Sequence, residues 1–395
     1  GIFNRVAAQN QAAKYGRRSF NHSYGTNPCC LSGDTLVLTD SGHTPIIELV
    51  GKNTNVWNGN EFSSVVPFSV GIHPTLEITL SNGVSLKCTH NHKFVLRDTE
   101  KHTRLPSEKR VEAKDLVIGD KLFKYSMPVI TAGEDYSTDA YSQGFYSGDG
   151  NTDLNYSWIY EPKYVCKPRL VGTFSEDHSS VARCTWKHGQ MLSKAFVPVN
   201  GSLDYRLNWL AGLLDADGCV TSDKNGNGFQ IASVDKDFLL NIRLMLTTLG
   251  VQAKVVNAHD AENRDMPDGK GGSKEYPCQA VHRLLIGNMD VWRLGKLGLK
   301  TERLQWHTDQ PQRCASRYIT VTSVKSLEPE EHFCFDEPKN HTGTFNGIVT
   351  GQSEIILRDK QLCNLTEVIV REDDDINTLS EKVRIATILG TFQAS

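Results

Sequence analysis

Apolar and polar positions follow different rhythms in different parts of this chain. Over residues 30–126, short apolar runs alternate with turn residues, which reads as a β-rich unit. The runs Glu77–Leu80 and Val84–Cys88 flank Ser81-Asn82-Gly83, and Asn-Gly is a strong hairpin signal because both residues tolerate positive φ. Further strands are expected at Leu36–Leu38, Ser64–Val70, Lys93–Leu96 and Lys121–Phe123. Residues 316–352 resume the β pattern with Tyr318–Val324 and Phe333–Asp336. The intervening 127–315 changes to a mixed α/β pattern. There Phe238–Leu246 reads as a helix stopping at Gly250, and the polar stretch Asn257–Lys274 as a flexible loop. Near the end, Thr378-Leu379-Ser380-Glu381 reads as a capping box opening a helix. Leu379, Val383, Ile385, Ala386 and Leu389 supply its apolar face.

Composition narrows this picture only a little. A chain of 395 residues has room for two or three domains, each with its own core. A net charge of -3 excludes a globally basic nucleic-acid binder but permits a local basic face. Ten cysteines without a CxxC pair are neither a small disulfide scaffold nor a zinc motif. There is no apolar run of membrane length and no signal-like segment. The chain opens on Gly1 rather than Met, which reads as a cut boundary and leaves targeting unjudged. A reducing, cytoplasmic compartment is expected, and it would suit a reactive thiol.

Two junctions carry the chemistry. Cys30-Leu31-Ser32-Gly33-Asp34-Thr35, followed by an apolar strand, resembles the amino-terminal splice junction of an intein. Phe345-Asn346-Gly347-Ile348-Val349, leading to Gln352 and Ser353, resembles the carboxy-terminal one. Thr89-His90-Asn91-His92 resembles the intein Thr-x-x-His motif. The resemblance implies an all-β Hedgehog/intein horseshoe built from 30–126 and 316–352, excised as residues 30–352. In that chemistry Cys30 attacks the Cys29 carbonyl, because a thiolate is a far better nucleophile than a hydroxyl. Thr89 and His92 would hold the carbonyl and protonate the departing nitrogen, and Asp336 would tune Cys30. Ser353 would accept the acyl group, and Gln352 would cyclise to release it. Inteins usually end in His-Asn. Here Gly351 and Gln352 stand there, so the ring closed is six-membered, the step is slower, and His341 is the candidate proton donor.

The flanks, 1–29 and 353–395, are expected to be pieces of an interrupted host. Joined across the proposed splice they read Asn27-Pro28-Cys29-Ser353-Glu354 and run on to Cys363, which resembles the active-site region of a ribonucleotide reductase large chain. By that resemblance Cys29 carries a thiyl radical, Asn27 and Glu354 hold and deprotonate sugar hydroxyls, and Cys363 supplies a reducing thiol.

Within 127–315, Leu210-Ala211-Gly212-Leu213-Leu214-Asp215-Ala216-Asp217-Gly218 is a near-complete LAGLIDADG motif. Gly144-Phe145-Tyr146-Ser147-Gly148-Asp149-Gly150 is its degenerate partner. The i, i+4 pairs Gly144/Gly148 and Gly212/Ala216 put small residues on one helical face each, so two helices can approach closely. Gly150 and Gly218 read as carboxy-cap glycines. Asp149 and Asp217 would meet at the base, and paired carboxylates call for a hard cation such as Mg²⁺. This resembles a homing endonuclease, with double-stranded DNA as partner and Lys194 assisting. Splicing would need no cofactor, no membrane is involved, and the intein is expected to be a monomer. Two alternatives remain: a nuclease-only element with a decayed splicing unit, and Hedgehog-like cleavage at Cys30 without ligation.

Overall fold

The computed structural model describes residues 30–98, 107–151, 155–176, 181–187, 189–223, 226–267, 272–307, 309–312, 318–352 and 375–394. The flanking residues Asn27, Cys29, Ser353, Glu354 and Cys363 lie outside the described residues. No helix among the described residues is long and apolar enough to cross a membrane.

The described residues open with nine strands: β1 (Leu31–Ser32), β2 (Leu36–Thr39), β3 (Gly42–Pro45), β4 (Thr54–Trp57), β5 (Phe62–Val65), β6 (Phe68–Leu80), β7 (Ser85–Thr89), β8 (Lys93–Asp98) and β9 (Ser107–Glu112). The expected hairpin is present. β6 and β7 pair antiparallel across Ser81–Val84, and Gly83 takes φ +89° to close the turn. The expected strand at Ser64–Val70 is broken in two, one ending at Val65 and the other starting at Phe68, around Pro67. Lys121–Phe123 forms only isolated bridges, Leu96 with Leu122 and Lys121 with Thr320.

Among the described residues the middle of the chain holds four α-helices: α1 (Ala140–Asp149), α2 (Leu203–Asp217), α3 (Lys236–Thr247) and α4 (Asn288–Leu297). Its strands are β10 (Gly150–Asn151), β11 (Tyr156–Ile159), β12 (Thr173–Glu176), β13 (Ala182–Thr185), β14 (Gly218–Asp223), β15 (Gly226–Ser233), β16 (Lys254–His259), β17 (Glu262–Pro267), β18 (Ser273–Cys278) and β19 (Val281–Ile286). Eight of them make two four-stranded sheets, β10-β11-β13-β12 and β14-β15-β19-β16. Each sheet follows directly from the end of α1 or α2, so the region is a repeated helix-then-sheet design. The segment expected as a loop over Asn257–Lys274 instead contains most of a two-stranded ribbon, β17 with β18. Its residues are largely exposed on both faces, so no apolar alternation betrays it.

Three last strands return to the first unit: β20 (Val321–Cys334), β21 (Thr342–Phe345) and β22 (Ile348–Gly351). β20 pairs with β6 along its length and, with β1 and β7, closes a small barrel. The order β22-β21-β2-β4-β5 forms a second sheet. Both ends of 30–352 are thereby built into one β unit whose core includes Leu31, Ile78, Leu86, Phe94, Phe333 and Phe345. A separate, larger core spans both repeats of the middle region, from Phe145 through Trp209 to Leu284.

The last helix, α5 (Ile376–Ala394), was expected to open at a capping box on Thr378. Asp375 caps it instead, its carboxylate accepting from the Asn377 and Thr378 N–H groups at 3.0 and 2.8 Å. Of the expected apolar face, Val383 and Ile385 are exposed and Leu379 and Ala386 half-buried.

Candidate functional site

The first site forms where the two ends of 30–352 meet. Cys30 is fully buried, and its N–H donates to Thr89 Oγ1 at 3.2 Å. The Thr89 N–H donates back to the Cys30 carbonyl at 3.0 Å. Thr89 therefore grips the nitrogen of the Cys29–Cys30 peptide bond and the carbonyl that follows it. This placement is what β1 pairing with β7 produces, since Leu31 lies opposite Cys88.

His92 sits one turn beyond, its N–H on the Thr89 carbonyl at 3.0 Å. Its ring is enclosed by Phe94 and Phe345 and bonds through Nε2 to Thr350 Oγ1 at 2.8 Å. Thr350 lies on β22, two residues before Gln352. His92 thus ties the loop that holds Cys30 to the strand that carries the other junction.

Gln352 is fully buried, and its main-chain N–H donates to the His341 carbonyl at 2.7 Å. His341 is held at φ +51° and receives Arg110 Nη1–H on the same carbonyl at 3.2 Å. The expected proton donor is therefore placed across the strand pair from Gln352. Gly351 occurs where His is usual for a steric reason. A Cβ there would lie 2.9 Å from Lys93 Cβ and 3.0 Å from the Lys93 carbonyl oxygen.

Sequence reasoning missed Cys334. It is buried in one cluster with Cys30 and Val70, and its Sγ–H donates to Gln352 Oε1 at 3.3 Å. Neither cysteine is in a disulfide. Asp336, the residue expected here, lies two positions further on and is half-buried. The only sequence signal for Cys334 is a place at the end of an apolar strand, since the fold alone brings it to both junctions. Glu337 is buried for a different purpose, its carboxylate accepting from Asn58 Nδ2 at 3.2 Å and the Asn340 N–H at 2.7 Å.

The second site lies at the base of α1 and α2. The helices touch through their small residues. A Cβ on Gly144 would fall 1.9 Å from the Trp209 carbonyl oxygen, and one on Gly212 would fall 2.0 Å from that of Tyr141. Gly150 and Gly218 do cap the helices, but with φ of -69° and -76° rather than in the left-handed region. Glycine is needed there for space, since a Cβ would strike the Tyr146 or Leu214 carbonyl at 2.3 and 2.6 Å.

Asp149 and Asp217 leave these two helix ends side by side. Burial, and next the Asp149 charge, pushes the Asp217 carboxyl above its ordinary range, against the opposing pull of Lys163, Lys194 and Arg303. Lys163 pairs with Asp149 at 2.6 Å. Lys194 Nζ donates to the Gly150 carbonyl at 2.7 Å, and Arg303 Nη2 to that of Gly218 at 2.6 Å. Each motif glycine thus has a cation on its carbonyl. Neither Lys163, 14 residues from Asp149, nor Arg303, 85 from Gly218, carries a local signal, since the fold alone brings each to the site. Asp215, inside the motif, is structural: its carboxylate accepts from Tyr141 OH at 2.7 Å and from the N–H groups of Glu302 and Arg303 at 2.7 and 2.9 Å.

Residues 204–297 match the model of a LAGLIDADG-like domain. The chain is 39% identical over 347 residues to the ribonucleoside-diphosphate reductase large subunit of Invertebrate iridescent virus 6, covering 83% of this chain and 36% of that protein. It is 22% identical over 409 residues to the ribonucleoside-diphosphate reductase NrdEB subunit alpha of Bacillus subtilis (strain 168), covering 86% of this chain and 37% of that protein. The chain therefore spans little more than a third of the relatives it matches. The two flanks are less than a fifth of the chain, so the viral alignment runs through the insert. Among solved structures it is similar to the Ssp DnaB mini-intein variant M86, with TM-score 0.31, 10% identity, and coverage of 86% of this chain and 100% of that one. A DnaB intein from Synechocystis sp. PCC 6803 gives TM-score 0.29 and 10% identity, covering 82% of this chain and 98% of that one.

Two junction residues brought together in one β unit, with a LAGLIDADG-like domain interrupting it, define the class: an intein carrying a domain of the homing-endonuclease kind. It is set in sequence similar to ribonucleotide reductase large subunits.

Proposed function

We propose that residues 30–352 excise themselves and join Cys29 to Ser353, restoring a ribonucleotide reductase chain. The observation that carries this reading is the bridge from Cys30 to Gln352 through Thr89, His92, Thr350 and Cys334. The Cys30 thiolate adds to the Cys29 carbonyl, the C–N bond breaks, and the freed nitrogen takes a proton beside Thr89 Oγ1. Ser353 Oγ then displaces Cys30 from that carbonyl. Gln352 Nε2 attacks its own main-chain carbonyl, closing a six-membered imide and releasing the Ser353 amine. An O-to-N shift makes the new peptide bond. Gln352 Nε2 is suited to this, because it is enclosed and has no hydrogen-bond partner among the described residues. In this reading His341, across the strand pair, supplies the proton for the departing amine.

The region 127–315 has its own activity in this reading, cutting both strands of an uninterrupted host allele. Asp149 and Asp217 are a hard, oxygen-only donor set, and the raised Asp217 carboxyl marks a place where a divalent cation such as Mg²⁺ is favoured. Such an ion would supply Lewis-acid activation of water. Lys194 and Arg303 steady the two carbonyls beside the carboxylates, and Lys163 is the ammonium that an arriving cation must displace from Asp149. Joining the flanks places Asn27, Cys29 and Glu354 in one host strand, with Cys363 nearby in sequence. The setting is cytoplasmic and the excised intein a monomer. Nuclease activity without splicing is the second reading, favoured by Gly351 and Gln352 at the positions usually held by His and Asn. Incubating the purified chain under reducing conditions, with Cys30→Ala in parallel, separates the two by intact mass.

A further inference from the structure

The seam between the two units is built around one buried cation. Arg243 lies on α3 of the insert and is 3% exposed. Its guanidinium crosses to the splicing unit, where Nη1–H donates to the Asn346 carbonyl at 3.0 Å and Nη2–H to the Gly347 carbonyl at 3.2 Å. Among the described residues it has no carboxylate partner. A buried charge compensated only by carbonyl dipoles is costly to keep, so its place calls for an explanation beyond packing.

Asn346 and Gly347 are the two-residue turn between β21 and β22, with φ of +48° and +72°. In such a turn the loop carbonyls have no partner across the ladder, and Arg243 takes both. Asn346 is fixed from its other side, with Oδ1 accepting from the Leu36 N–H at 2.9 Å and Nδ2 donating to the Ser85 carbonyl at 3.1 Å. Gly347 is pressed so closely on α3 that a Cβ would lie 2.8 Å from Thr247 Cγ2. Thr247 also meets His43 of β3, Nε2 to Oγ1 at 2.8 Å. Asn200 clasps the main chain of the same His43, accepting from its N–H at 2.7 Å and donating to its carbonyl at 2.9 Å. The insert therefore grips the sheet at the turn from which β22 runs straight to Gln352.

The geometry points to Arg243 as a positioning residue for the carboxy-terminal half of splicing, supplied by the endonuclease-like domain. The inference rests on the splicing reading above and deepens it. Cys30, immediately before β1, and Thr89, at the end of β7, are held in the barrel closed by β6 and β20, a step removed from the hairpin that Arg243 pins. Gln352 is at the end of the hairpin that Arg243 pins. An intramolecular attack is sensitive to displacements of about 1 Å, which can cost on the order of a hundredfold in rate.

The test reads the two junctions separately in the full chain. Release of Ser353 is followed in a Cys30→Ala background, and thiol-induced cleavage before Cys30 in a Gln352→Ala background. Arg243→Met should slow Ser353 release about tenfold or more and leave thiol cleavage unchanged. Arg243→Lys keeps the charge but can serve fewer carbonyls at once, so it should recover part of the rate. It also provides the readout if the Met variant fails to fold. Equal slowing at both junctions, or no slowing at either, would overturn the inference. If the unsubstituted junctions are both inert, the splicing reading itself falls and takes this inference with it.

Discussion

Cys334 donates its thiol proton to Gln352 Oε1 at 3.3 Å, while Gln352 Nε2 is buried without a hydrogen-bond partner among the described residues. The side-chain amide is thus held by its oxygen and left available at its nitrogen, which is the atom that must attack. Cys334→Ala should slow Ser353 release in the Cys30→Ala background. A neutral hydrogen bond contributes about 1 kcal/mol, so the expected loss is about fivefold. Mass spectrometry of the released flank checks it, and an unchanged rate would remove Cys334 from the account.

Gln352→Asn should accelerate the same step, because a five-membered imide closes more readily than a six-membered one. The shorter side chain gives up its reach to Cys334, so Cys334→Ala should then have little further effect. A double-mutant cycle on the release rate tests this coupling. An additive result, or a slower Asn variant, would mean that the pocket around Gln352 works differently.

Asp217 carries a pH signature. Its carboxyl is raised above the ordinary value by burial and by Asp149, so the folded state binds a proton more tightly than the unfolded chain. Stability from this group is present below the unfolded value of 3.8 and is lost as pH rises through the folded value. Asp217→Asn should therefore raise the melting temperature at neutral pH, with the advantage shrinking in acid, while abolishing DNA cleavage. Mg²⁺ should stabilise the wild type by mass action and leave the variant unmoved. Thermal melts with and without the ion read both effects.

The α1–α2 contact has no room for a methyl group at Gly144 or Gly212. Gly212→Ala should cost on the order of 1–3 kcal/mol through overpacking, with the helix pair forced apart at its closest point. Urea unfolding measures it. A neutral substitution would mean that the helices can separate without loss.

Much of this was legible from local pattern. Asn82-Gly83 marked a hairpin because a turn with positive φ has few sequence solutions, and the small-residue spacing of α1 and α2 marked a helix pair. What escaped depends on which distant segments meet. Cys334 escaped because only the pairing of β20 brings its thiol to Gln352. Arg243 lies within the expected helix Phe238–Leu246, and nothing local says that its guanidinium crosses to another unit. The ribbon β17–β18 reads as a loop in the sequence because strands exposed on both sides carry no alternation. Gly351 looked like a lost catalytic His, and only the approach of Lys93 shows why a side chain does not fit.

The central claim is that the two junctions form one working site. Intact-mass measurement of the purified chain during incubation with a reducing thiol tests it most directly, with Cys30→Ala alongside. The account predicts two new species, residues 30–352 and a ligated product of 1–29 with 353–395, from the wild type only. An unchanged mass in the wild type, or ligated product from Cys30→Ala, would contradict it.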